Sequence, residues 1–115
     1  MARQGAVLRE VNRRRARHGK PKLKGSASLR ASAAAFARTL RRTGRFGHAA
    51  RIHADRRFVL LGEVLAKGQT SPRAVVDAWM NSPPHRAILL SDKARKAGFS
   101  RNGNIWVGHL GRLGR

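Results

Sequence analysis

The side chain best placed to do chemistry is an imidazole at the start of a short helix. It stands in the stretch Ala74–Leu90, which reads AVVDAWMNSPPHRAILL. Just upstream, Ser71-Pro72 is a helix start: a serine hydroxyl caps orphan backbone N–H groups, and proline at the first helical position gives up only a donor that had no partner. Val75, Val76, Trp79 and Met80 then share one face. Asn81-Ser82-Pro83-Pro84 ends that helix and opens another, with Ser82 as its cap and His85 in its first turn. The positive end of a helix dipole disfavours imidazolium, so His85 is biased toward the neutral form that accepts a proton or binds a metal. The plainer alternative is a solvated surface histidine. Thiol catalysis and thiolate metal sites are excluded, because the chain has no cysteine. Ser82 reads as a cap and not as a nucleophile, and no phosphate-cradling glycine loop is present.

A tryptophan-bearing helix followed by NSPPHRAILL resembles the W-x-x-S-P-x-H-R-x-x-[IL]-[LM] element of the CAP superfamily, which includes cysteine-rich secretory proteins, antigen five and pathogenesis-related class-one proteins. Three more segments agree in order. VLREVNRRRARHGKPKL resembles the family's N-x-x-R-x-x-x-G-x-x-x-L helix, RFGHAA its [FY]-S-H turn, and LGEVLA its G-E-N-[IL] element. Together they cover nearly the whole chain, and the cysteine-free form looks most like the bacterial members.

The resemblance implies a constellation of three residues: His48 from the [FY]-S-H turn, Glu63 from G-E-N, and His85 from S-P-x-H-R. In the family, two histidines and acidic residues meet in a surface cleft, and some members bind a divalent metal such as zinc. Two neutral imidazoles suit zinc. A carboxylate could be a third ligand, orient a ligand from behind, or serve as base for a bound water, which would make Glu63 the candidate catalytic residue. The chain departs from the pattern at Val64, where asparagine is usual, and at Gly47, which replaces serine. The second acidic residue of many eukaryotic members has no match; His53 and Asp55 lie near its place. His18, at a helix carboxyl end, and His109, in the final strand run, read as structural or solvated.

The elements that must position these residues follow from periodicity. Val7, Leu8 and Val11 make an apolar stripe on a first helix, already formed over Gln4–Val11, whose other faces are arginine-rich and therefore solvated. Gly19-Lys20-Pro21 stops it, and Leu23 is an isolated anchor. Gly25–Ser28 caps a second helix carrying Leu29, Ala33, Phe36, Ala37 and Leu40 on one face. A polar connection follows, with Phe46 and Phe58 as anchors. VLLGEVLA, Val59–Ala66, fits either a buried strand or helix, and the resemblance favours a strand at Glu63. At the end, Arg101-Asn102-Gly103 between Ala97–Ser100 and Asn104–Leu110 signals a hairpin. Trp106 then points away from its two neighbours. The whole reads as α+β, sharpened by the resemblance to a CAP-type α-β-α sandwich with a small, mainly antiparallel sheet between helical layers, in one domain over residues 1–115.

A chain of 115 residues buries about two-thirds of its unfolded surface without staples. No apolar run approaches the roughly 20 residues needed to cross a bilayer. No signal peptide is visible, and the resemblance favours a mature fragment of a longer secreted precursor, extracellular or associated with the cell envelope. The net charge of +21 concentrates polyanions. The basic residues are spread along the chain without interleaved aromatics, which argues against specific nucleic-acid recognition. Three functions follow as expectations. The first is a bacterial extracellular binding protein whose His/Glu cleft takes a cell-envelope or small-molecule ligand, with zinc as the implied metal. The second is a metal-assisted hydrolase of peptide or cell-wall material, and the third a polyanion-binding module acting without specificity.

Overall fold

The computed structural model describes residues 2–114; the outermost residues of the expected 1–115 domain, Met1 and Arg115, lie outside that range. In chain order it contains α1 (Ala2–Arg17), β1 (Lys24–Gly25), α2 (Ala27–Thr43), β2 (Phe58–Lys67), α3 (Pro72–Met80), α4 (Pro83–Leu89), β3 (Lys96–Asn102) and β4 (Ile105–Leu113). The strands form one sheet in the order β1-β3-β4-β2, in which only the short β1–β3 pairing is parallel. Helices cover both faces, giving the expected α-β-α sandwich.

Alternation along β4 explains the two cores. Trp106 and Leu110 point to the side of α1, α3 and α4, where they pack with Trp79, Phe99, Val64, Val76 and Leu89. Ile105 and Val107 point to α2 and meet Ala33, Ala37, Leu40 and Leu65. Trp79 is 1% exposed, its ring centroid lies 6.0 Å from that of Phe99, and its Nε1–H donates to the Leu65 carbonyl at 3.0 Å. Gly98 lets α2 settle closely on β3: a methyl group there would stand 2.1 Å from the Arg30 backbone nitrogen, a contact no side chain survives.

The caps follow the sequence with one exception. Ser26 and Ser71 accept from the amides of Leu29 and Ala74, and Gly44 ends α2 in the left-handed region. Ser82 occupies the cap position of α4, yet only its backbone carbonyl serves, taking the Arg86 amide at 2.8 Å. The ambiguous VLLGEVLA stretch is a strand, one residue longer at each end than its apolar run. The hairpin forms with its turn shifted by one residue, since Asn102 pairs with Ile105 and Gly103 alone carries positive φ.

Two expectations are corrected. Phe46 is not an anchor; it is 47% exposed. Nor are the arginines of α1 all solvated. Arg15 is fully buried, donating from Nε to the Pro21 carbonyl and from Nη1 to those of Leu89 and Ser91. A guanidinium can reach across a helix layer and close the open carbonyl end of another helix, a use that an apolar-stripe argument does not consider.

Candidate functional site

Glu63 is the centre of a polar network in the middle of β2. Alternation puts it on the α2 side, with Leu65, and the strand register sets it directly opposite His109 of β4. Its side chain is 7% exposed, and both oxygens are occupied. Oε1 accepts from His48 Nδ1 at 2.8 Å and from the Ala49 amide at 2.9 Å; Oε2 lies 2.7 Å from His109 Nε2, which donates to it. Behind the ring, His109 Nδ1 is 2.7 Å from Ser32 Oγ, which is also 3.0 Å from the Leu29 carbonyl. Ser32, His109, Glu63 and His48 thus form one continuous hydrogen-bonded chain that runs from the α2 helix to the exposed His48.

Charge follows from these contacts. Burial alone would raise the Glu63 carboxyl, but the hydrogen bonds from His109, the Ala49 amide and His48 outweigh it and hold the group below its ordinary value. Glu63 is therefore ionised at neutral pH. His48 is the exposed end of the network, with Nδ1 committed to Glu63 and Nε2 left for a ligand.

The third expected residue joins from the opposite helical layer. α4 packs over β2 at Gly62, where a methyl group would stand 3.1 Å from Ile88 Cγ2. His85 is half-buried. Burial first, and then the positive charge His48 acquires on protonation, push its pKa below the ordinary histidine value. The expected direction holds, but its cause is desolvation and a neighbouring histidine, where the sequence suggested a helix dipole. His48 and Glu63 thus touch directly, while His85 lies close enough to His48 for their charges to interact. Among the described residues, no three His, Asp or Glu side chains are grouped as ligands around one point.

Of the remaining candidates, Asp55 is tied to Arg57, which holds its carboxyl down at about 2, and His53 is exposed on the same loop. His18 is exposed and hydrogen-bonds through Nδ1 to the Arg14 carbonyl. The sequence reading missed Ser32 and His109 as members of the site. A signal existed: once the hairpin is drawn, His109 falls on the same face as Ile105 and Val107, and an imidazole ending an apolar stripe needs a buried partner.

A family model described as the cysteine-rich secretory protein family, CAP, matches residues 8–106. Among curated proteins, YkwD of Bacillus subtilis is 44% identical over 48 residues, which make up 40% of this chain and 19% of that protein. Two solved structures resemble the whole fold. An extracellular protein containing an SCP domain from Bacillus anthracis superposes with a TM-score of 0.88 at 21% identity, over 96% of this chain and 40% of that one. An outer surface protein of Borrelia burgdorferi superposes with a TM-score of 0.82 at 25% identity, over 93% and 90% of the two chains. The chain thus spans under half the length of the two Bacillus relatives.

Proposed function

The chain belongs to the cysteine-rich secretory protein (CAP) family, and we propose from that premise that it is an extracellular binding module whose ligand meets the imidazoles of His48 and His85. The observation that carries this reading is the occupation of both Glu63 oxygens. A carboxylate that already accepts from two histidines and a backbone amide orients those histidines and is not free to take a proton from substrate. This favours binding over the hydrolase alternative, for which Glu63 would have to be the base. The extracellular setting is supported by the relatives described as extracellular and outer-surface proteins. In agreement with it, no helix among the described residues is long and apolar enough to cross a membrane.

The donor set bears on zinc as well. Two imidazoles suit a divalent ion completed by water or by the ligand, with Glu63 behind His48 fixing the orientation of its ring; a three-ligand His48–His85–Glu63 site would require Glu63 to release a partner. When bound, such an ion would supply a Lewis-acidic anchor for an oxygen-bearing ligand. Calorimetric zinc titration at neutral and acidic pH tests this. Binding should weaken as pH falls through about 6.5 and disappear in folded His48→Ala and His85→Ala variants. Unchanged zinc binding in both variants would refute the assignment. Turnover of a peptide or cell-wall substrate that vanishes in Glu63→Gln with the metal retained would instead establish the hydrolase.

A further inference from the structure

The outer face of α2 carries a charged surface that the cleft does not use. Residues 11–54 contain no Asp or Glu, and all five carboxylates of the chain are engaged elsewhere: Glu10 with Arg13 and Arg14, Asp77 with Arg14, Asp92 with Lys20, Asp55 with Arg57, and Glu63 with its two histidines. On α2, Arg38, Arg41 and Arg42 are exposed. Their spacing of three and four residues puts them in one row, away from the buried Ala33, Ala37 and Leu40. Arg45 extends the row just past the Gly44 cap. One guanidinium is held in place: Arg41 Nη1 donates to Asn102 Oδ1 at 2.9 Å. Among the described residues, no carboxylate is within ion-pair reach of these four arginines.

Basic groups in a last helical turn offset the negative end of the dipole, which gives Arg41 and Arg42 a structural use. It gives none to Arg38 or Arg45, which only add to the repulsion. We propose that this row is a docking surface for a linear phosphodiester polymer without bases, of the poly(glycerol phosphate) type, read through its phosphates. Guanidinium forks match phosphate oxygens two at a time. The row runs along the helix axis for about 10 Å at 1.5 Å per residue, a line fitted to a chain. Successive bases would need a stacking platform, but Trp79, Trp106 and Phe99 are buried, and among the described residues Phe46 is the one exposed aromatic.

The test is titration of the whole chain with poly(glycerol phosphate). For four phosphates neutralised on a flexible strand, affinity should fall roughly 50-fold between 50 and 200 mM salt. R38Q/R42Q/R45Q, which spares the Arg41–Asn102 contact, should weaken low-salt binding by about tenfold or more and flatten the salt dependence. K22Q/K24Q/K93Q removes three equally exposed charges from elsewhere on the surface and should weaken it by less than about threefold. Melting curves of both variants establish that they are folded. Equal losses in the two variants would overturn the proposal in favour of a diffuse field. So would tighter binding of single-stranded DNA at equal phosphate concentration that Phe46→Ala abolishes, or binding only to anionic vesicles.

Discussion

The two faces of the sheet are built from the same four strands and do different work. Toward α1, α3 and α4 the strands present Trp106, Phe99, Val64 and Leu110 to Trp79 and Leu89, a core of large apolar groups. Toward α2 the apolar cluster is smaller and rich in alanine, and beside it the same strands present Glu63 and His109 to Ser32. Adjacent residues of β4 therefore belong to opposite regimes. One face draws its stability from area removed from water. The other holds a buried charge whose cost is offset only while every hydrogen bond is made. Alanines on α2 and Gly98 on β3 bring the helix backbone close enough for a short serine to reach a strand histidine.

The largest expected effect breaks the apolar side. Trp79→Ala should cost about 3–5 kcal/mol, because it empties a large buried volume and strands the Leu65 carbonyl. A melting midpoint close to wild type would show that this face does not carry the fold. Next, His109→Ala should cost about 1–3 kcal/mol by leaving Glu63 Oε2 without its partner in a buried setting. If denaturant titration finds no loss, the polar network contributes nothing net to stability.

The smallest effect concerns pH. His85 is held below the ordinary histidine value, so the unfolded chain binds the proton first, and stability should begin to decline as pH falls below about 6.5. Glu63 is held below the ordinary carboxylate value; its contribution is complete above about 4.3 and is lost as pH falls through its lower folded value. Urea titrations across this range should show two successive declines. His85→Ala should remove only the first, and its persistence in that variant would assign it to another group.

Much of this arrangement was legible beforehand. Period and caps located α2 and α3, Asn-Gly located the hairpin, and the family motifs supplied His48, Glu63 and His85, of which the first two touch and the third interacts with the charge of His48. What escaped was long-range. Ser32 sits on a helix face that also carries Leu29 and Ala33, and nothing local says that it faces a histidine 77 residues later. Arg15 read as solvated because its neighbours are arginines, whereas its burial depends on carbonyls in α4 and beyond that only the tertiary fold supplies. Phe46 misled for the opposite reason: an aromatic in a polar loop suggests an anchor, but burial needs an opposing surface.

The outermost strand, β2, has a consequence for how copies of the chain keep apart. Its first half leaves Val59, Leu60 and Leu61 exposed along a sheet margin that no other strand among the described residues covers, the sort of margin on which another chain can add a strand. Arg56 and Arg57 precede it and Lys67 closes it, and charged residues flanking an apolar strand act as gatekeepers against edge-to-edge growth. With a net charge of +21, mutual repulsion keeps those edges separated in dilute salt. Colloidal stability is thus tied to the counterions: screening the charge, or neutralising it with a bound polyanion, uncovers the self-pairing edge.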